Sequence, residues 1–305
     1  LDQNNSNGVF EINPYSVETN NWIKRGWDIR VNNFPAEIYF DYPTKTKSIS
    51  LTGTACSLNC AHCGGRYLKG MTDVKELTSQ LCSELSFSSA LISGGCTQDG
   101  KVPFWNRLDL LQELKNRKVR LNFHVGLISE KEVQLLKGLA DAVSFDFVGD
   151  EDTIREVYGL EHKLEDYIRV YKDLRKQVRI IPHLTLGLKG GIWSGEEKAL
   201  DILEDLGLDG LVLNVFIPTS GTRYADRTPP NLEEVISFLA KARVRFPKTS
   251  LALGCMRPKG SYRQKLDEAS VALGINRIVI PTPKARQLVK EKGLIIKRGE
   301  ECCAL

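Results

Sequence analysis

Eight short apolar, β-branched runs recur along the chain: 48-SISLTG-53, 89-SALIS-93, 118-KVRLNFH-124, 142-AVSFDF-147, 178-VRIIPHLTL-186, 210-GLVLNVF-216, 250-SLALG-254 and 277-RIVI-280. They lack strict polar alternation, as expected of parallel strands covered on both faces. Longer helical patterns stand between them, among them 106-NRLDLLQELKNR-117, 194-SGEEKALDILEDLG-207 and 231-NLEEVISFLAKARVRF-246. Ser194 followed by Glu197 fits a capping box, and Asn231 precedes Glu233 and Glu234 in a first turn. Eight strands alternating with helices over about 250 residues is the count of a (β/α)8 TIM-type barrel. An open doubly wound sheet is the alternative, but nothing marks a strand-order reversal and there is no Gly-rich dinucleotide fingerprint. No linker or repeat divides the chain, so one domain is expected. It comprises an irregular N-terminal arm over residues 1–45, the barrel over 46–295, and a C-terminal tail over 296–305 folding over the active face.

Composition narrows the setting. The chain has 305 residues, 42% hydrophobic and 26% charged, as in ordinary globular proteins. No apolar run reaches the roughly 18 residues of a membrane span, so no membrane role is expected. The opening LDQNNSNGVFEI lacks a basic start followed by an apolar core. A cytoplasmic location is the expectation, and there the eight cysteines read as metal ligands or reactive thiols rather than disulfides. Net charge is +4, yet residues 241–300 hold fifteen Lys/Arg against four Asp/Glu. Such a segment either attracts an acidic partner or is a solvated basic surface. No nucleic-acid motif accompanies it.

The chemistry concentrates in 56-CSLNCAHC-63, directly after the first run. Barrels place their chemistry in the loops after the C-terminal ends of strands. The stretch 94-GGCTQDG-100 follows the second run in the same way, and Cys255 follows the seventh. A thiolate-rich loop suits zinc or iron–sulfur. Cys56, Cys60 and Cys63 suffice for three irons of a 4Fe–4S cube, leaving one iron without a protein ligand. Structural zinc wants a fourth ligand, and His62, wedged between Cys60 and Cys63, reaches the same metal poorly.

C-x3-C-x2-C after the first strand of a barrel resembles the radical S-adenosylmethionine (SAM) superfamily. The resemblance implies that Cys56, Cys60 and Cys63 carry a 4Fe–4S cluster whose open iron binds the amino and carboxylate groups of SAM, which then yields a 5′-deoxyadenosyl radical. Ser93-Gly94-Gly95-Cys96 resembles the family's Gly-Gly segment, whose backbone binds the SAM amino group. Cys96 stands where the family usually has Glu. By the same resemblance Asp146 binds the SAM ribose or stays a structural acid, and Gly187 packs its backbone against adenine. Arg257 donates to cluster sulfide or SAM carboxylate, or forms a surface ion pair. Pro218, Gly221 and Thr222 match the family's sixth-strand loop. His124 and His183 line the pocket or are core histidines.

A narrower resemblance rests on 51-LTGTACSLNCAHCGGRYLKGM-71, the SGGC segment, 215-VFIPTSGT-222, 252-ALGCMRP-258 and the ending 301-ECCAL-305. These are similar to the biotin synthase-like branch, and most of all to the subunits of two-component lipoyl synthases. Of the remaining cysteines, Cys82 reads as a buried helix residue. Cys96, Cys255 and one or both of Cys302 and Cys303 read as ligands of a second, auxiliary 4Fe–4S cluster, because two adjacent free thiols would invite oxidation. The resemblance implies the same, since lipoyl synthases consume such a cluster as their sulfur source. The implied activity is sulfur insertion into an unactivated C–H of a protein-bound octanoyl chain, with the two clusters flanking one cavity. The implied partners are an octanoylated acidic lipoyl-carrier domain, a partner lipoyl synthase subunit and an electron donor. The rival readings are a biotin synthase-like or hydrogenase-maturase-like enzyme, an iron–sulfur electron-transfer module, and a zinc-stapled scaffold.

Overall fold

The eight apolar runs fold as eight neighbouring parallel strands in a computed structural model that describes residues 15–80 and 85–305. In chain order the strands are β1 (Glu37–Asp41), β2 (Thr46–Ser50), β3 (Thr72–Asp73), β4 (Ser89–Ser93), β5 (Arg120–Phe123), β6 (Ala142–Asp146), β7 (Ile180–Leu186), β8 (Gly210–Val215), β9 (Ser250–Leu253), β10 (Arg277–Val279) and β11 (Ile295–Gly299). The helices are α1 (Val17–Asn33), α2 (Val74–Gln80), α3 (Leu108–Asn116), α4 (Glu130–Gln134), α5 (Glu151–Thr153), α6 (Leu164–Gln177), α7 (Glu196–Leu206), α8 (Leu232–Arg245), α9 (Gly260–Ala272) and α10 (Pro283–Glu291). A π turn over Ile154–Tyr158 continues α5.

The strand order is β11-β1-β10-β9-β8-β7-β6-β5-β4-β2-β3, parallel throughout. The result is a parallel α/β barrel with a seam, not a closed ring of eight. The free edge of the three-residue β10 is taken by β1, through Tyr39 N–H to Asn276 O (2.9 Å) and Ile280 N–H to Asp41 O (2.8 Å), and β11 adds to β1. The seam between β11 and β2 is bridged by the residues after β11. Lys45 N–H donates to Glu300 O (2.8 Å) and Cys302 N–H to Thr46 Oγ1 (2.8 Å).

Two differences from the expected arm and tail follow. The segment expected to be irregular holds α1 and β1. Helix α1 buries Thr19, Ile23, Gly26 and Arg30, one face at helical spacing, and packs on α8 and α9. Gly26 permits that approach, since a Cβ there would lie 2.5 Å from Leu273 O. At the other end, residues 300–305 do not fold over the C-terminal ends of the strands. They meet Thr46, Ser88 and Arg120, at or just before the starts of β2, β4 and β5, and so enter the barrel from its opposite end.

The strands divide their side chains by the two-residue period. Leu121, Phe123, Val143, Phe145, Leu184, Leu213 and Leu253 join the main core under the helices. The alternate positions, including Asn122, Ser144 and His183, face the axis, and Ile181, Val212 and Ala252 form a separate small cluster there with Ala304. The expected cap of α7 by Ser194 and Glu197 is absent. Gly195 is the N-cap, and the buried Glu196 carboxylate instead accepts N–H bonds from Gly187 and Ser194. Asn231 caps α8 as expected, accepting from Glu233 N and Glu234 N.

One buried ion pair stitches β9, α9 and α10 together. Arg257 donates to both carboxylate oxygens of Asp267 (2.7 and 3.2 Å), both side chains being 0% exposed, and Asp267 Oδ2 also accepts from Thr282 N (2.9 Å). Removing one partner of such a pair strands a buried charge, at about 3–5 kcal/mol. Asp267→Ala is expected to lower unfolding free energy by about that amount in a urea titration, while Lys265→Ala on the exposed face of α9 changes it by under about 0.5 kcal/mol.

Candidate active site

The cysteine loop leaves β2 at Leu51, whose N–H continues the pairing to Ser93 O (2.8 Å). Thr52 Oγ1 donates to Ala55 O (2.8 Å) and accepts Gly95 N–H (2.6 Å), fastening this loop to the one after β4. Glycine is needed at 95, because a Cβ would lie 1.9 Å from Ala55 O. Gly94 is tight against Thr52 as well. Cys96 N–H then points at Cys56 Sγ (3.3 Å), and Ser57 N–H returns to Cys96 O (2.8 Å). Farther along, Cys63 N and Gly64 N both donate to Cys60 O, and Gly64 and Gly65 turn the chain at φ of +48° and +69°. Ala61, fully buried, is pinned between Val157 O and Tyr224 N.

The same loop meets the segment after β8. Tyr67 Oη hydrogen-bonds Thr219 Oγ1 (2.7 Å), Thr222 Oγ1 donates to Thr219 O (2.8 Å), and Gly221 at φ +73° leaves room for Arg66. Pro218, Gly221 and Thr222 therefore lie beside the cysteine loop. His62 meets Tyr158 edge-on at 5.6 Å. Burial holds its pKa at about 4.

The thiols of this group are strongly perturbed. Cys60 donates to Cys63, which pulls Cys63 down to about 7 against burial and pushes Cys60 up. Burial, reinforced by the charges of Cys56 and Cys63, pushes Cys96 up to about 12. Cys56, Cys60, Cys63 and Cys96 are thus one electrostatic group. A second group lies deeper. Cys302 is pulled down to about 6 by a hydrogen bond from Cys303, against burial, with help from Ala304 N–H and the Asn122 amide (3.4 Å to Sγ). Cys303 is pushed well up by that bond, by burial, and by the charges of Cys302 and Cys255. Burial and the Cys302 charge push up Cys255, which nevertheless borders open space. The expected quartet of Cys96, Cys255, Cys302 and Cys303 is therefore divided: Cys96 stands with Cys56. Cys82 lies outside the described residues. Among the described residues no three His, Cys, Asp or Glu side chains are arranged around a single metal ion.

Asp146 and His124 stand between the two groups. His124 Nε2 is 3.5 Å from Asp146 Oδ2, and His183 packs on His124 at 5.7 Å between ring centroids. Asp146 is half-exposed toward the lumen, not toward the outer surface. Burial works to raise its pKa, but His124 first, then His183 and His62, bring it to about 2. For His124 burial works downward, and Asp146 reverses it to a net rise. His183 is held at about 4 by burial and the His124 charge. His183 Nδ1 must be its donor, since it faces the Ile181 carbonyl at 3.0 Å, leaving Nε2 as an acceptor toward the lumen. The sequence motifs missed this trio as a unit, although the alternation R-L-N-F-H at 120–124 and A-V-S-F-D at 142–146 marks these inward positions.

Two expected cofactor contacts are otherwise engaged. Gly187 N–H is bound to Glu196 (2.9 Å), and its Cα side is covered by Pro230 at 2.8 Å from a hypothetical Cβ. Arg257 is neither a surface ion pair nor free for a ligand. Besides Asp267 it donates to the carbonyls of Gly254, Val279 and Ile280.

Asp146→Asn removes the charge that raises His124 while leaving burial in place. The His124 pKa, read by NMR titration of the metal-free protein, is expected above the ordinary histidine value in the wild type and below it in the variant.

No family model matches the chain. It is 23% identical over 223 residues to the biotin synthase of Vesicomyosocius okutanii subsp. Calyptogena okutanii, covering 67% of each chain. Its fold is similar to that of methylornithine synthase (TM-score 0.67, 13% identity, 93% of this chain and 90% of that one). It is likewise similar to the FeFe-hydrogenase maturase HydG from Carboxydothermus hydrogenoformans (TM-score 0.68, 14% identity, 92% and 72%). At these identities the likenesses to solved structures show a shared fold, a parallel α/β barrel.

Proposed function

We propose that the chain is a radical SAM enzyme that inserts sulfur into an unactivated C–H of a protein-bound octanoyl chain, as one subunit of a lipoyl synthase. The observation that carries the reading is the second thiol group, Cys255, Cys302 and Cys303, inside the same barrel as Cys56, Cys60 and Cys63. The donor chemistry fits two iron–sulfur clusters, since each group contains a thiol drawn toward thiolate, Cys63 at about 7 and Cys302 at about 6. Cys56, Cys60 and Cys63 would hold the SAM-binding 4Fe–4S cluster, and Cys255, Cys302 and Cys303 an auxiliary one. With SAM bound, the first supplies a radical strong enough for an unactivated C–H, and the second supplies sulfur.

The chain's own residues do the rest. Thr52 and Gly95 lock the cysteine loop to the β4 loop, so that Cys96 N–H is directed at Cys56 Sγ. A hydrogen bond to a cysteine sulfur tunes a cluster held there. Asp146 and His124 line the lumen between the groups as an ion pair, with a neutral His183 beside them. An octanoyl chain seated there would have its reacting carbon between the two thiol groups, as radical transfer at near-contact demands.

The partners in this reading are an octanoylated acidic carrier domain, a second synthase subunit and an electron donor. The basic 241–300 segment supports the first only in part. Arg243 and Arg257 are buried, and Arg245 and Arg277 pair with acids elsewhere. Lys284, Arg286 and Lys290 remain exposed on α10, which starts at the C-terminal end of β10, the same end as the cysteine loop. Reversing these three to Glu is expected to raise the carrier-domain KM at low salt by about tenfold and flatten its salt dependence, with iron content unchanged.

Iron and acid-labile sulfide on anaerobically reconstituted protein test the main reading. About eight irons per chain, falling to about four in Cys56→Ala/Cys60→Ala/Cys63→Ala and to about four in Cys255→Ala/Cys302→Ala/Cys303→Ala, is the expected result. About four in the wild type and none in the first variant would remove the auxiliary cluster. The similarity to a biotin synthase favours a second reading, sulfur insertion into a biotin precursor. Product analysis with octanoylated carrier domain and with that precursor separates the two.

A further inference from the structure

The lower mouth of the barrel concentrates three guanidinium groups. Arg120 begins β5, Arg179 directly precedes β7, and Arg277 begins β10. They are close enough that, after burial, the charges of Arg277 and Arg120 pull the Arg179 pKa down. Arg277 is answered by Asp41, which is fully buried, through two hydrogen bonds of 2.8 and 3.0 Å. Arg120 and Arg179 are answered by residues 300–305. Arg120 binds the Glu301 carboxylate and the Leu305 carbonyl (2.9 Å), and Arg179 binds the Ala304 carbonyl. Ser88 Oγ adds a second donor to Glu301 (2.9 Å).

Between these anchors the segment turns into the lumen. Cys302 N–H is held by Thr46 Oγ1, Leu305 N–H closes a turn onto Cys302 O (2.9 Å), and Ala304, 0% exposed, sits on Ile181, Val212 and Ala252. Asn122, itself fully buried and paired with Ser144, donates its amide N–H to Cys302 Sγ. Cys255 arrives from the opposite end, after β9.

We propose that residues 300–305 are a strap latched by Arg120 and Arg179, and that closing the strap assembles the second thiol site from opposite ends of the barrel. This rests on the auxiliary-cluster reading for the site's use, but not for its closure. Arg120 and Arg179 are positioning residues. They lie at the strand starts, away from the cysteine loop, and act only through the segment they hold. Opened, the lower mouth leaves two guanidinium groups facing each other without their partners, and the Cys302–Cys303 pair without its pocket.

The test uses anaerobic metal-free protein labelled with iodoacetamide and read cysteine by cysteine by mass spectrometry, followed by reconstitution and iron counting. In Arg120→Ala/Arg179→Ala, Cys302 and Cys303 are expected to alkylate roughly tenfold faster or more, as a few charge-assisted hydrogen bonds are lost. The rates at Cys56, Cys60 and Cys63 should stay unchanged. Iron is expected to fall from about eight to about four, with the SAM-sensitive cluster signal retained. Glu301→Gln, a milder change at the mouth, should move labelling the same way by a smaller factor. It decides the matter if the double variant misfolds by circular dichroism. Unchanged labelling of Cys302 and Cys303 in the folded variants overturns the latch. A wild type that binds only about four irons overturns the auxiliary-cluster reading instead, and labelling still judges the strap.

Discussion

A ring of parallel strands that sends its large apolar side chains outward to the helices leaves its axis to the alternate positions. In this protein many of those positions are small or polar, Asn122, Ser144, Ala252, His124, Asp146 and His183 among them, beside the aliphatic Ile181 and Val212. Such an axis does not close on itself as a packed core. Its lower part is filled instead by Ala304 and the Cys302–Cys303 pair, and its upper part is left to a hydrogen-bonded and charged lining. Polar groups out of bulk water are costly unless partnered. That cost explains why Asn122 is tied to Ser144 and Cys302, and why His124 is tied to Asp146.

The upper rim depends on close backbone approach. Thr52 and Gly95 join the loops after β2 and β4, and the absence of a side chain at 95 lets Ala55 O lie where a Cβ would be. The loop after β8 closes on the other side through Tyr67, Thr219 and Gly221. Three loops far apart in sequence thereby set the spacing of Cys56, Cys60 and Cys63, so loop packing matters to this site as much as the ligands themselves.

Much of the scaffold was legible because its signals are local. Each of the eight apolar runs became a strand within three residues of its expected ends, and Asn231 capped α8 as its side chain dictates. Helix α1 was obscured by its asparagines and by Gly26, whose value lies in a contact with Leu273 that no local pattern reveals. Ser194 lost its expected cap because Glu196, not Glu197, turned inward to satisfy the amides of Gly187 and Ser194. Arg257 looked like a ligand-binding residue two positions from Cys255, yet Asp267, ten residues on, engages it completely within the core.

The strand–helix rhythm, the parallel barrel class, and the placement of a three-cysteine loop at the C-terminal end of the first barrel strand are written in the order of the amino acids, because hydrophobic period and residue spacing are properties of neighbouring residues. Which cysteines share a site emerges from long-range packing. It set Cys96 beside Cys56, brought Cys255 to Cys302 and Cys303, and sent residues 300–305 in through the lower mouth rather than over the rim. The last two depend on where Arg120 and Arg179 stand when the sheet has curved, and on β1 occupying the edge of β10 so that a seam remains for the strap to cross. Such pairings join residues more than a hundred positions apart, and no local pattern encodes them.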